Sequence, residues 1–504
     1  MAETAHPTFD AREPASGDNG LGPLPEWDLG DLYLAPDAPE IDRDLDWLRA
    51  ECADFAAAYQ GQLATLDAAA LLGAIRRYER IQTVSGRLAS YAGLRYYQAT
   101  TEPARAKFFG DTQTALTDLS TPLVFFSLEL NRVEDGRLDA LMAENTALAR
   151  YKPVLDRIRA MKPYQLSDEL EQFLHDQSVV GAAAWNRLFD ETLAGLEFTV
   201  GDETLGLEAT LNLLSDQDRA RRQAGAEALA SVFRARLPLF ARVTNTLAKE
   251  KEIEDRWRKL PTPQTARHLS NDVEPEVVRA LRDAVVAAYP RLSHRYYALK
   301  ARWMGLDALE IWDRNAPLPR DDDRVIPWKE AEATVLDAYA GFDPRMAVLA
   351  EPFFARGWID AGVKPGKAPG AFAHPTVTDA HPYVLLNYLG KQRDVMTLAH
   401  ELGHGVHQVL AAGQGELLAD TPLTLAETAS VFGEMLTFRK LLDAAPDARA
   451  RKILLASKVE DMINTVVRQI AFYDFECRLH AARREGELTP DQIGALWMAV
   501  QVES

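Results

Sequence analysis

The stretch LDAAALLGAIRRYERIQTVSGRLASYAGLRYY (residues 66–97) returns apolar side chains every three or four positions, the spacing that lays one stripe along an α-helix. Alanine is abundant in it and β-branched residues are few, which favours helix over strand. LDWLRAECADFAAAY (residues 45–59) carries the same rhythm, and residues 42–176 read as almost wholly helical. The pattern breaks at GLEFTVGDETLGLEATLNLL (residues 195–214), where EFTV, GDE and TLGL signal a hairpin. Helix resumes in SDQDRARRQAGAEALASVFRARL (residues 215–237), with Ser215 as the expected cap, and again in PEVVRALRDAVVAAY (residues 275–289). The expected fold is mainly α. A flexible tail over residues 1–25 precedes a helical region over 26–194, and a second region follows over 195–504.

Bulk properties narrow the function. The chain has 504 residues, 47% hydrophobic and 26% charged, with a net charge of -19. So acidic a surface repels phosphate backbones, which argues against nucleic acid as a partner. The two cysteines, Cys52 and Cys477, lie far apart and outline no disulfide framework, in keeping with a reducing compartment. The first 20 residues lack a basic segment followed by an apolar one, and no apolar run is long enough to span a bilayer. A cytoplasmic protein without a membrane partner is expected.

A second irregular stretch, residues 357–394, is rich in Gly and Pro and holds strand-like pieces around 371–373 and 383–388. It leads into DVMTLAHELGHGVHQVLAAG (residues 394–413), an amphipathic helix that Asp394 can cap and Gly413 can end. At about 3.6 residues per turn, His400 and His404 stack on one face, where two imidazoles can share a metal ion. Glu401 is rotated roughly 100° from His400, too far to join the ligands but able to reach a water beside them.

A histidine ten residues after the first would complete one known ligand set, but Leu410 stands there. A carboxylate from the next helix is the alternative. TPLTLAETASVFGEMLTFRKLL (residues 421–442) offers Glu427 and Glu434, two turns apart on one face, and either could ligate. An antiparallel return brings Glu427, 23 positions after His404, beside the metal. Glu434 then suits the role of a carboxylate that orients a ligating histidine. Glu416 sits in a glycine-flanked loop, a less rigid mount. His407 shares the face of His400 and reads as a structural residue or a support to the ligands, since a catalytic zinc keeps one position open.

HELGHGVH (400–407) followed by LAETASVFGE (425–434) resembles the thimet-oligopeptidase family of zinc metallopeptidases, specifically its oligoendopeptidase F branch. LPEWDLGDLY (24–33), GKAPGAFA (366–373), HPYVLLNYLGKQRDVMTLAHELGH (381–404) and TVVRQIAFYDFE (465–476) extend the resemblance over nearly the whole chain. It implies a helical ellipsoid with a deep channel and a small sheet beside the metal helix. It implies one Zn2+ held by His400, His404 and Glu427, with Glu401 as general base, and hydrolysis of internal bonds in short unfolded oligopeptides. In the strand-like GAFA segment, Gly370, Ala371 and Phe372 are expected to align the substrate by edge-strand hydrogen bonds. Members of that branch continue past the point matching Ser504 with Tyr and His side chains that face the zinc. The resemblance therefore implies a catalytic region over 195–504 without its C-terminal end. It sets a weakly active, peptide-binding chain against the active endopeptidase.

Overall fold

Asp67 opens the second long helix by accepting a hydrogen bond from the N–H of Ala70 at 2.8 Å. That helix, α2 (Ala68–Gln98), lies against α1 (Pro39–Tyr59) and α3 (Pro103–Ser120). It buries Leu71, Leu72, Ile75, Leu88, Tyr91 and Leu94, the stripe visible in its sequence. The computed structural model describes residues 20–318 and 324–504. Helix makes up 72% of the described residues and strand 3%, so the mainly-α expectation holds.

The expected hairpin forms from β1 (Phe198–Val200) and β2 (Glu203–Leu205), paired antiparallel. Phe198 buries its ring against α4 (Arg219–Arg258). Asp218 caps α4, accepting from the Ala220 N–H at 2.9 Å, in place of the expected Ser215. Ser215 lies one turn upstream and donates its hydroxyl to the Asn212 carbonyl at 3.0 Å, closing the preceding short helix. Beyond α4 run α5 (Pro275–Ala288), α6 (Ser293–Met304), α7 (Trp328–Phe342) and α8 (Pro344–Ala355).

The irregular stretch after α8 folds into a three-stranded sheet of β3 (Ile359–Asp360), β4 (Phe372–His374) and β5 (Tyr383–Leu385). β5 is central, parallel to β3 and antiparallel to β4, which leaves β4 at an edge. The sheet leads into α9 (Gln392–Ala412), followed by α10 (Leu423–Ala444), α11 (Ala448–Glu485) and α12 (Pro490–Glu503). Asp394 sits within the first turn of α9 rather than before it. Its carboxylate accepts from the N–H groups of Leu389 (2.9 Å) and Lys391 (3.0 Å). Gly413 ends the helix as expected.

Residues 1–19 of the expected tail lie outside the described residues, and residues 20–25 correct that expectation. Leu21 is buried and its carbonyl accepts from the Trp328 N–H, while the Pro25 carbonyl accepts from the Ala361 N–H. Polar neighbours hid one apolar anchor in a strap that crosses the sheet. Trp27 fastens the strap, donating its indole N–H to the Val384 carbonyl at 2.9 Å. The division at residue 195 is not a division of cores. One apolar core joins Leu21 and side chains of α1–α3 to α7, α8, the sheet and α9.

Candidate metal centre

Helices α9 and α10 cross closely because small residues face each other. A Cβ on Gly403 would lie 2.6 Å from the Ala429 carbonyl oxygen and 2.8 Å from Ser430 Cα. A Cβ on Gly433 would run into the Tyr339 hydroxyl, which itself donates to the Ala399 carbonyl at 2.6 Å. On the far side of α9, Gly405 makes room for the buried ring of Phe353. With the two helices this close, a side chain from α10 reaches the histidines of α9.

That side chain is Glu427. Its Oε2 lies 3.1 Å from His400 Nε2 and 3.5 Å from His404 Nε2. The imidazole rings stand 5.1 Å apart and nearly perpendicular, at 79°. One donor atom from each of the three residues falls within 4.8 Å of the others. Two imidazole nitrogens and a carboxylate oxygen converging this way are the three-ligand set of a catalytic metal site with an open fourth position. The residues present therefore fit a metal ion. Ser430 is buried on α10 and donates its hydroxyl to Glu427 Oε2 at 2.6 Å, which fixes the direction of the carboxylate.

Glu434 stands on the other side of His400, with its Oε2 3.3 Å from Nδ1. With Nδ1 protonated, the ring donates to Glu434 and leaves Nε2 free to ligate. Lys458 of α11 pairs with the second oxygen of Glu434. Burial works against a charged His400, but the bonds to Glu427 and Glu434 outweigh it and push its pKa up to about 9. The same contact with His400, joined by that with His404, holds the Glu427 carboxyl well below the ordinary range. Burial would raise Glu434, yet His400 and Lys458 bring it down, so it too stays ionised.

Glu401 is buried on α9, at 7% exposure. Burial raises its pKa, against the opposing pull of His400 and His404. A carboxylate so placed binds a proton more readily than one in water, as a general base requires. His407 shares the face of His400 and lines a cavity beside His404, outside the three-residue cluster. Glu416 accepts from the N–H and hydroxyl of Thr378, both at 2.9 Å, and holds the loop before β5.

Gly370, Ala371 and Phe372 lie at the sheet edge or just before it. The Gly370 N–H donates to Glu208 at 2.9 Å, and its carbonyl accepts from Asn387 at 2.9 Å. Phe372 pairs in register with Leu385, and α9 reaches the strand through Gln408, whose Nε2 donates to the Ala373 carbonyl at 3.2 Å.

Sequence reasoning missed Ser430, Lys458, Gly403 and Gly433. The small residues of α10, Ala429, Ser430 and Gly433, were the available sign of a close helix crossing. Lys458 left no such sign, being one cation among several on a long helix.

The model of Peptidase family M3 matches residues 337–503, and one described as Oligopeptidase F matches residues 129–198. Oligopeptidase PepF of Bacillus subtilis is 26% identical over 441 residues, covering 86% of this chain and 65% of its own length. An oligoendopeptidase F homolog of Lactococcus lactis is 24% identical over 480 residues, covering 94% of this chain and 79% of its own. The crystal structure of oligoendopeptidase-F from Enterococcus faecium shares the fold. Its TM-score is 0.69 at 21% identity, over 93% of this chain and 80% of that one. Two family models on separate stretches, and relatives aligned along most of the sequence, make this chain similar to peptidase family M3 and to its oligopeptidase F branch.

Proposed function

We propose that the chain is a zinc-dependent endopeptidase that hydrolyses internal bonds of short, unfolded oligopeptides in the cytoplasm. The observation that carries this reading is the convergence of His400 Nε2, His404 Nε2 and Glu427 Oε2 within 4.8 Å, next to a buried Glu401 on the same helix. His400, His404 and Glu427 would hold the zinc. Bound there, zinc supplies a Lewis acid that polarises a carbonyl and lowers the pKa of water to about 7.

The chain's own residues do the rest. Glu434, backed by Lys458, keeps the proton of His400 on Nδ1 and the ring in its ligating orientation. Glu401 accepts a proton from the attacking water on a carboxylate oxygen. It then returns that proton to the amine nitrogen that leaves. The edge of β4 runs beside α9, where Ala371 and Phe372 would offer backbone groups to an extended peptide and Gly370 is anchored by Glu208 and Asn387. The small residues Gly370 and Ala371 let that peptide approach.

A Glu401→Gln chain tests the assignment. It should keep one zinc per chain, and its turnover of an internally quenched peptide should fall by about 10²–10⁴-fold. Normal cleavage by this variant would remove Glu401 from the chemistry. A wild-type chain that takes up no zinc would remove the metal centre itself.

A further inference from the structure

We propose that Lys367 and Asn387 are positioning residues for the reaction: they fix the register in which the edge of β4 presents a peptide to Glu401. The inference rests on the endopeptidase reading above. Lys367 stands at 6% exposure beside Asp360, the last residue of β3, at 0%. Its Nζ donates to Asp360 Oδ1 at 2.7 Å, to the Gly362 carbonyl at 2.7 Å and to the Leu386 carbonyl at 2.6 Å. The ammonium's three N–H donors thus gather the ends of β3 and β5 and the loop toward β4 at one point. Gln98 of α2 donates to Asp360 Oδ2 at 2.8 Å and holds the carboxylate from its other side.

Stability does not account for such a pair, since apolar side chains of similar volume often replace a buried ion pair without loss. What they cannot do is satisfy the carbonyls that Lys367 collects. Residues 361–371, AGVKPGKAPGA, join β3 to β4, with Gly366 and Gly370 at positive φ. So permissive a backbone sets no register of its own. On its outer side the loop is tied to the end of α2, where the Gly366 carbonyl accepts from the Thr100 N–H and the Ala368 N–H donates to the Tyr97 carbonyl. On its inner side Asn387 Nδ2 donates to the carbonyls of Ala368 (3.1 Å) and Gly370 (2.9 Å), just before β4. The inner anchors, Leu386 and Asn387, lie in the short segment that joins β5 to α9. The loop before β4 is therefore set against the same stretch of chain that delivers His400, Glu401 and His404.

Register decides which bond is cut. A strand advances about 3.3 Å per residue, so a slip of one residue along the edge puts a neighbouring bond in front of Glu401. Displacements far smaller than that matter, because a misplacement of about 1 Å can cost about 10²-fold in rate. Lys367, buried behind the sheet edge, acts through the loop and not by contact with the reacting atoms.

Mass spectrometry of the products from a panel of short peptides reads the register directly. Wild type should cut each peptide mainly at one bond. A double variant, Asp360→Asn with Lys367→Met, removes both charges and leaves no unpaired ion. Its ratio of main to neighbouring cuts should fall by about tenfold or more, and kcat/KM at the main bond by about 10–100-fold, with zinc still at one per chain. Asn387→Ala, at a half-buried position, should scatter the cuts in the same direction, and it decides the matter if the double variant does not fold. A merely structural role would lower the active fraction and leave the product ratio as it was. An unchanged ratio in every folded, zinc-loaded variant would overturn the proposal, as would a wild type that already scatters its cuts. A wild type that holds zinc and cleaves none of the peptides would instead sink the endopeptidase reading, and the role of both residues with it.

Discussion

In the body that carries α9, most of the deepest side chains are apolar, Phe353, Val384, Leu398 and Leu402 all standing at 0% exposure, with Asp360 of β3 and its partner Lys367 the buried ion pair among them. In the layer built from α4, α6 and α11, the groups at 0% exposure include Lys300 and Asp313. Asp313 is gripped by Arg219 (2.8 Å) and Arg222 (3.0 Å) of α4, and Lys300 pairs with Glu460 of α11 at 2.6 Å. Arg282 of α5 similarly holds Asp474 of α11 at 2.8 Å. The apolar clusters in this layer are small satellites of the main core. Close packing fixes positions to tenths of an ångström and tolerates little change. Buried ion pairs orient helices, but their desolvation offsets much of their attraction. The proposed metal centre lies where the two regimes meet. Its candidate ligands stand on the packed crossing of α9 and α10, and Lys458 reaches it from the charged layer.

The largest expected effect breaks the charged layer alone. Arg222→Met leaves Asp313 at 0% exposure with a single guanidinium partner. Removing one partner from a buried ion pair costs about 3–5 kcal/mol. Chemical denaturation should show a loss of that size while zinc affinity stays near wild type, because α4 contributes no ligand. A parallel drop in zinc affinity would show that the two regions are mechanically one.

Acid separates the regions by pH rather than by mutation. His374 of β4 lies 3.0 Å from the Ser90 hydroxyl of α2, and burial pushes its pKa down to about 4. The unfolded chain takes up this proton near pH 6.5 and the folded chain does not, so stability falls as pH drops from about 6.5 to 4. Over that window the loss is about 3 kcal/mol at 1.36 kcal/mol per unit. Asp313 responds lower. Its burial favours the neutral acid, but Arg219 and Arg222 outweigh it and hold the pKa at about 2. Its contribution is present above the unfolded value near 4 and is lost as pH falls toward 2. His374→Gln should flatten the upper limb of the stability profile and leave the lower one. An unchanged upper limb would assign it to other groups.

The same contrast decides what could be read from sequence. Helical stripes such as that of residues 66–97 are local periodicities, and they appear as helices. His400, Glu401 and His404 were legible because a single helix sets their mutual geometry. Glu427 needed the further assumption of an antiparallel return, which is a tertiary fact. Ser430 and Lys458 act only through partners that the fold brings to them. Leu21 and the strap of residues 20–25 were obscured by polar and glycine-rich neighbours, although Trp27 marked their anchor. Where position depends on how two elements pack, single-chain periodicity carries no signal except the occurrence of small residues.

That exception sets the most local test. A methyl group on Gly403 would lie 2.6 Å from the Ala429 carbonyl oxygen, a backbone atom that cannot rotate away. In Gly403→Ala, α10 must move outward, and overpacking of this kind costs about 1–3 kcal/mol. The replacement also gains up to about 1 kcal/mol of helix propensity, so the net loss of stability should be the smallest of the three. Its effect on the metal should not be small. The shift carries Glu427 away from His400 and His404 while leaving all three side chains chemically intact. Zinc affinity, measured by competition with a chelator, should fall by about 10–100-fold, the range seen when groups supporting a ligand are lost. Ser430→Ala removes a hydroxyl bond to Glu427 without moving the helix, and should weaken zinc less than Gly403→Ala does. If the serine variant proves the weaker binder, the hydroxyl rather than the close crossing holds Glu427 in place.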